Sequence, residues 1–416
     1  MSEPSTSEPS TRPGRTRRSR MERVTEGSAA TTLELFFDLV FVFALTQVTA
    51  FMAEDPTPRG LLRGALILAV VWWCWVGYSW SSNLVKADEG AARSAMLAAM
   101  AAMFLIAIAI PESFDDLPGG LDGPVVFALC YLLVRAVHLV LFWTASGDDR
   151  GLRAQVLRFL PTMVGGTVLL LVASQTTGAV QVLLWAAAVL FDYGGTLVIG
   201  ATGWRINSPK HFAERHGLIV IIALGESIVA IGVGVNELAI SWPIVAGALL
   251  GLVVAAALWW VYFDTNGLLI ERALASAEGH ERVRMARAAF SYLHLPAVIG
   301  IVMLALGLKK ALGYLAGDDG HSAADHLHGA PLWALYGGTA LYLFALAAIS
   351  WRCSRTQKYQ RLGLGLVLVA ITPLVAFLPV LVTLGVLAAV LVGLVMGEWS
   401  YYKAQRDEIR HAPEHH

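Results

Sequence analysis

Apolar residues fill long stretches of this chain, and polar residues are concentrated in the short segments between them. A helix needs about 20 apolar residues to cross the hydrocarbon core of a bilayer. The pattern predicts an all-α polytopic membrane protein with about twelve transmembrane helices. We expect them near 31–52, 60–82, 92–112, 124–144, 155–174, 180–201, 216–236, 241–263, 286–308, 331–351, 361–377 and 379–399. The last two are either separate helices or one helix broken between Pro373 and Pro379.

Composition supports a membrane location. Of the 416 residues, 56% are hydrophobic and 15% are charged, whereas soluble domains have about 25% charged residues. We therefore expect a lipid bilayer around most of the chain. No nucleophile, phosphate-binding or dinucleotide motif occurs, so we expect neither an enzyme nor a bound cofactor. The three cysteines show no metal-binding spacing, and small buried side chains are the simpler interpretation.

Lys and Arg residues are unevenly divided between the two sets of connecting segments. With the N-terminus inside, 25 of the 30 fall in inward segments and three in outward ones. This bias predicts that both termini are cytoplasmic. We expect residues 1–28 to be a disordered, Arg-rich cytoplasmic tail and residues 404–416 to be a second tail. The arginines of the first tail favour an anchor at the membrane surface, and we expect no nucleic-acid partner.

The two halves of the membrane region resemble each other. Trp72-Trp73 near the end of the second span has a counterpart in Trp259-Trp260 near the end of the eighth, and Asp38 has a counterpart in Glu226. We predict a duplicated 6+6 arrangement, with one six-helix repeat over 29–205 and another over 206–403. Parallel repeats of this kind occur in transporters. Chance similarity between two hydrophobic sequences is the alternative.

Ionisable residues at bilayer depth are costly, which makes them candidates for a functional site. The candidates for an ion or transport pathway are Glu34, Asp38, Arg135, Asp192, Glu226 and His294. The spacing of four puts Glu34 and Asp38 on one helix face. Arg135 needs a counter-charge, and three of the acids could supply it. We therefore expect at least one carboxyl group to be unpaired and protonated.

Each of these residues also has a purely structural interpretation. Arg135 and one acid could form an ion pair that only holds helices together, and His294, close to Pro296, could be a hydrogen-bonded structural histidine. Transport instead predicts that the buried polar residues meet in one cavity between the halves. An outward cluster could bind zinc in principle, although incidental histidines are favoured and we assign no metal site; its members are His321, Asp325, His326 and His328.

Four segments carry a resemblance to a known family. They are LELFFDLVFVFALTQ at 33–47, ERHGLIVIIALGESIVAIG at 214–232, YLHLPAVIGIVMLALGLK at 292–309 and PLWALYGGTALYL at 331–343. Together they resemble the bacterial low temperature requirement A (LtrA) family. The resemblance implies a multi-pass protein of the bacterial cytoplasmic membrane, and it implies important positions at Glu34, Asp38, Glu226, His294 and Pro296. It supplies no substrate.

Two classes of function remain after these observations. The first is a secondary transporter or ion-conducting protein for a small ion or small molecule, coupled to protons through buried carboxylates. The second is a non-transporting membrane scaffold or sensor that supports growth at low temperature, in which the polar residues are structural. Neutralising the acids should abolish transport in the first case and only lower stability in the second.

Overall fold

The structure is a computed structural model that describes residues 29–200, 203–235, 239–317, 324–355 and 358–401, together with Val24 and Gly320. Twelve helices account for most of these residues, and no strand occurs among them. They are α1 Thr32–Glu54, α2 Pro58–Ser82, α3 Gly90–Ala109, α4 Gly123–Ser146, α5 Arg150–Ala173, α6 Gly178–Ile199, α7 Pro209–Gly234, α8 Trp242–Ser276, α9 Gly279–Ala316, α10 Gly329–Ser354, α11 Tyr359–Val375 and α12 Val380–Tyr401.

Eleven of these helices are long and apolar enough to cross a membrane, and α11 is a shorter apolar helix of 17 residues. The predicted all-α polytopic class is confirmed. The last two predicted spans are separate helices, with a break between Val375 and Val380. Apart from Val24, the tails predicted at 1–28 and 404–416 lie outside the described residues, as does His321 of the outward cluster.

Local sequence explains where the central helices begin. Thr31 caps α1, because its hydroxyl accepts the Glu34 N–H while the Glu34 carboxylate accepts the Thr31 N–H at 2.7 Å. This reciprocal pair satisfies two amide groups that the first helical turn would otherwise leave without partners. At α7, the Ser208 side chain accepts the His211 N–H, and Pro209 stands at the first position, where no N–H is needed.

Four predicted boundaries were wrong. Helix α8 ends at Ser276 rather than near 263, α9 ends at Ala316 rather than near 308, and two helices begin earlier than predicted. Helix α7 begins at Pro209 rather than near 216, and α9 begins at Gly279 rather than near 286. In both cases charged residues in the first turns resemble a connecting loop, although they continue the helix. The error at α7 is important because the added turns carry His211 and Arg215.

Helices α8 and α9 each contain a π-helical stretch, at Tyr262–Asn266 and Ala286–Tyr292. The first stretch contacts α9 just beyond the second one, since the Tyr262 hydroxyl lies 3.0 Å from Nε2 of His294. Such wider turns are rare in helices and often occur at functional sites.

Four helices form the centre of the molecule. Each of α1, α2, α7 and α9 contacts the other three. Helices α2 and α10 are the most buried of the candidate spans, and α6 is the least buried. The centre therefore combines two helices from each predicted half.

The predicted duplication stays a prediction. In both halves the first helix contacts the second and third, and the third contacts the fourth. The matched tryptophans nevertheless differ in environment. Trp72 and Trp73 are buried, whereas Trp259 and Trp260 are 45% and 36% exposed.

Candidate functional site

A buried ion network joins the first turns of α1 and α7, and we call it the α1–α7 network; it comprises Glu34, Asp38, His211 and Arg215. The Arg215 side chain is completely buried. Its Nη1 donates to Glu34 Oε1 at 3.4 Å and to Ser82 Oγ at 2.9 Å. Its Nη2 donates to Oδ1 of Asp38. One guanidinium therefore holds both acids.

Glu34 and Asp38 each have a further partner. The Glu34 Oε1 atom lies 3.0 Å from Nε2 of His211, and the same carboxylate caps α1. The Trp75 Nε1 atom donates to Asp38 Oδ1 at 2.7 Å. Three helices of the centre, α1, α2 and α7, are thus joined by polar contacts at this level.

The network is incompletely satisfied within the described part of the chain. Asp38 Oδ2 and Arg215 Nε are buried there without a hydrogen-bond partner. The Arg215 guanidinium lies 5.5 Å from the ring centroid of Trp75, a cation–π distance. A buried polar atom without a partner costs about 1–3 kcal/mol. The free oxygen of Asp38 is therefore a position where a proton or a ligand would be stabilised.

His294 lies near this network but does not join it. Its Nδ1 is 2.8 Å from the Ala289 carbonyl oxygen, and its Nε2 is 3.0 Å from the Tyr262 hydroxyl. Both ring nitrogens thus have partners, which is the geometry of the structural alternative. His216 lies between the two groups, with its ring centroid 5.4 Å from that of His294 and 4.9 Å from that of Trp75.

Glu226 lies further along the same interface between α1 and α7. Its carboxylate accepts a hydrogen bond from the Thr46 hydroxyl at 2.6 Å. Thr46 is eight residues beyond Asp38, which corresponds to roughly 12 Å along α1. Contacts of Asp38 with Arg215 and of Thr46 with Glu226 show that α1 and α7 run in the same direction. Asp38 therefore lies opposite Arg215, and it is not level with Glu226.

Arg135 and Asp192 form a separate buried pair between α4 and α6. The Arg135 Nη2 and Asp192 Oδ1 atoms are 3.5 Å apart, and the Tyr131 hydroxyl donates to Oδ2 of Asp192. Helix α2 separates this pair from the α1–α7 network. Its Tyr78 packs against Phe37 of α1 and donates to the Val134 carbonyl oxygen of α4.

One expectation from the sequence was wrong, because the predicted pathway residues do not meet in one cavity but lie in separate groups along and beside α1. The premise of a single buried arginine was also wrong, because Arg215, assigned to a loop, is a second one and pairs with two of the acids. Among the described residues Glu226 is nevertheless a buried acid without an ion pair, since its hydrogen-bond partner is the Thr46 hydroxyl. His211, Arg215 and Tyr131 were missed. The sequence contained a signal for two of them. Arg215 is in the segment ERHG, which carries the family resemblance, and His211 precedes it by one helical turn.

A pocket lies between α2, α4, α5 and α6 on one side and the π-helical stretch of α9 on the other; we call it the inter-half pocket. Its volume is about 40 Å³, enough for a few water molecules. The residues that line it are Trp73, Val76, Gly77, Trp80, Arg135, His138, Phe159, Thr196, Trp204, Val283, Arg287 and Ser291. Of the predicted pathway residues, only Arg135 is among them.

The described residues include no group of three or more His, Cys, Asp or Glu side chains that could hold a metal ion. His326 and His328 of the outward cluster are described, and Nδ1 of His328 lies 2.9 Å from the His326 carbonyl oxygen.

Comparison with known proteins places the chain in a family. The family model described as bacterial low temperature requirement A protein (LtrA) matches residues 29–396. The chain is 27% identical over 397 residues to a Rhizobium meliloti (strain 1021) protein named uncharacterized protein RA0937, and the match covers 91% of this chain and 90% of that protein. No solved structure matches the chain. The extent of the family match shows that this chain belongs to the bacterial low temperature requirement A (LtrA) family.

Proposed function

We propose that this protein is a proton-coupled secondary transporter or ion-conducting protein, and not an enzyme. The observation that carries the proposal is the row of three buried carboxylates, Glu34, Asp38 and Glu226, along one helix interface at the centre of the molecule. Acids inside a membrane protein are expensive, and they commonly mark ion and proton pathways.

Asp38 is the residue that we assign to proton exchange. One of its oxygens is held by Arg215 and Trp75, while the other has no hydrogen-bond partner among the described residues. A proton on that free oxygen would remove the charge that binds Arg215. Arg215 would keep its contact with Glu34, so protonation would loosen the contact between α1 and α7 without breaking it completely.

Glu226 is the acid that we assign to the other end of the row. Its hydrogen bond with Thr46 puts it roughly 12 Å from Asp38 along α1, too far for direct proton transfer. Ordered water or a movement of α1 against α7 would have to bridge that distance. The π-helical stretches of α9, a helix of the centre, and of the neighbouring α8 supply positions where the helices can deform.

We place the protein in the bacterial cytoplasmic membrane with both termini in the cytoplasm. The uneven distribution of Lys and Arg supports this orientation. Two of the residues in that count, Arg215 and Arg361, are completely buried, and the bias stays large without them. In this orientation the α1–α7 network faces the cytoplasmic side.

Three observations favour the scaffold alternative. The predicted pathway residues lie in separate groups and not in one cavity, and both ring nitrogens of His294 have hydrogen-bond partners. Glu34 caps α1 and binds both His211 and Arg215, which is sufficient to explain that acid as a structural residue. On this view Asp38 and Glu226 also serve only to hold α1 to α7. Neutralising them should then lower the melting temperature without changing any flux.

The two functions can be separated with purified protein in liposomes that contain a pH-sensitive dye. Ion gradients are imposed one at a time, and proton movement is followed in wild type, Asp38→Asn and Asp148→Asn. Asp148 is an exposed acid in the loop before α5, so its variant is a matched control. Transport predicts proton movement in wild type and the control, and its loss in folded Asp38→Asn. Absence of flux under every gradient would contradict the proposal and favour the scaffold.

A further inference from the structure

The inter-half pocket collects hydrogen-bond donors that lack acceptors. Trp73 Nε1 and Arg135 Nε are buried donors without a partner among the described residues, and neither ring nitrogen of His138 has a partner there. Arg135 and His138 are only 2% and 4% exposed. Two buried donors, together with a histidine that can donate from either ring nitrogen, therefore point to a missing acceptor. This is unusual, because buried polar groups normally have hydrogen-bond partners.

The charge of the pocket favours an anion. Asp192, which lies behind the lining, balances Arg135 at 3.5 Å. Arg287 adds a further positive charge at the half-buried mouth, where its Nη1 donates to the Thr196 carbonyl oxygen at 3.1 Å. No Asp or Glu occurs among the lining residues. Guanidinium groups in this setting form strong, charge-assisted hydrogen bonds with carboxylates.

The walls favour an anion that has an apolar part. Aromatic rings form much of the lining, and the rings of Trp80 and Trp204 lie 5.4 Å apart while Trp204 also packs on Phe159. A strongly hydrated anion would gain little there, because these walls offer few groups to replace its water. The volume of about 40 Å³ is well below the cavity of about 150 Å³ that accepts benzene. The ligand must therefore have only a few heavy atoms.

We propose that the inter-half pocket binds a small aliphatic monocarboxylate. Its carboxylate group faces Arg135 and Arg287, and its apolar end lies against Trp80 and Trp204. Both halves of the chain contribute to the lining, so a movement of one against the other would open or close the site. That this anion is also the transported species rests on the function proposed above, whereas its binding does not.

Binding is tested on the full-length protein in detergent with trifluoroacetate, whose ¹⁹F resonance broadens when it exchanges with a bound state. The buffer contains no chloride. We expect saturable broadening of the trifluoroacetate resonance. Excess acetate should remove the broadening, whereas gluconate or chloride at the same concentration as the acetate should not change it. Displacement by gluconate or chloride as effective as that by acetate would overturn the assignment, as would the absence of broadening.

Two variants test whether the broadening comes from this pocket. Arg287→Gln should weaken trifluoroacetate binding at least tenfold, whereas Arg284→Gln, an exposed change one turn earlier in α9, should leave it unchanged. Gly77→Ala adds a Cβ atom 3.1 Å from the His138 ring, so the positions of these two lining residues must change. This variant should also weaken binding, without any change of charge. Equal binding in wild type, Arg287→Gln and Gly77→Ala would overturn the proposal.

The binding experiment imposes no ion gradient, so its outcome does not depend on the outcome of the flux experiment. Binding without proton movement would support the site and contradict the proposed transport. Proton movement without binding would overturn the carboxylate site and leave the transport proposal intact.

Discussion

Arg215 connects three helices at one level of the molecule, since its guanidinium reaches Glu34, Asp38 and Ser82. Removing one partner from a buried ion pair usually costs about 3–5 kcal/mol, because the remaining charge is left in a medium of low polarity. Two carboxylates depend on this arginine, so its loss should be among the most damaging single changes in the protein.

We predict that Arg215→Leu lowers the free energy of unfolding by about 3–5 kcal/mol, seen as a reduced melting temperature in detergent. Arg215→Lys should not restore it, because one ammonium group cannot reproduce the forked contact with both acids. Arg158→Leu, at an exposed position of α5, is the control and should unfold like wild type. A melting temperature of Arg215→Leu equal to that of the control would contradict the network.

At this scale the sequence identified the acids and offered Asp192 as one of three candidate partners of Arg135, which the structure pairs, but it did not find the partner of Glu34 and Asp38. Glu34 and Asp38 stand out because each is surrounded by apolar residues. Arg215 follows Lys210 and Glu214 and resembles the charged end of a loop. Its pairing joins residues 177 positions apart, and no helical periodicity contains that information.

Helices α9 and α10 approach each other closely, and glycine makes this approach possible. A Cβ atom on Gly307 would lie 2.6 Å from the Leu335 Cα atom, and one on Gly300 would lie 2.6 Å from the Gly338 carbonyl oxygen. Real side chains do not approach backbone this closely, so any larger residue must push the helices apart. Contacts of this kind are a main source of helix association in membranes.

Gly307→Ala should therefore destabilise the protein by about 1–3 kcal/mol through overpacking, measured as a drop in melting temperature. Gly393→Ala in α12 is the matched control, because no atom lies within 4 Å of its added Cβ. It should leave stability unchanged or raise it slightly. Similar melting temperatures for the two variants would show that α9 and α10 are not in close contact.

The short helix α11 is fixed to α12 by a forked ion pair. Arg361 Nε and Nη2 donate to the two carboxylate oxygens of Glu398 at 2.7 and 2.8 Å, and Arg361 is completely buried. We expect Arg361→Gln to increase amide hydrogen exchange in α11 and α12 and to leave α1 and α7 unchanged. Glu398→Gln should give the same pattern, and protection equal to wild type in both variants would contradict the pair.

At the scale of elements, sequence reasoning succeeded where bilayer thickness sets helix length. It placed twelve apolar segments. For α11 and α12 it left two options open, separate helices or one broken helix, and the structure has separate helices. It failed at the starts of α7 and α9 and at the end of α8, where charged turns continue a helix instead of ending it. Arg361 was likewise counted with the loops, although it is buried against Glu398.

The whole molecule is organised around α1, α2, α7 and α9, which bring both halves into one centre. The row of carboxylates and the inter-half pocket lie on opposite sides of α2, and α2 contacts both through Trp75 and Trp73. A movement of α2 would therefore affect the two sites together. This is a physical route by which proton binding and anion binding could be coupled, and no pattern in the sequence indicated it.

The most direct test of the central claim is the electrical response of protein-containing liposomes on a solid-supported membrane to a sudden change of pH. We expect a saturable current in wild type that is absent in Glu226→Gln and retained in Glu54→Gln, an exposed acid at the end of α1. Such a result would assign proton movement to the α1–α7 interface. A wild-type current no larger than that of protein-free liposomes, or an equal current in Glu226→Gln, would contradict it.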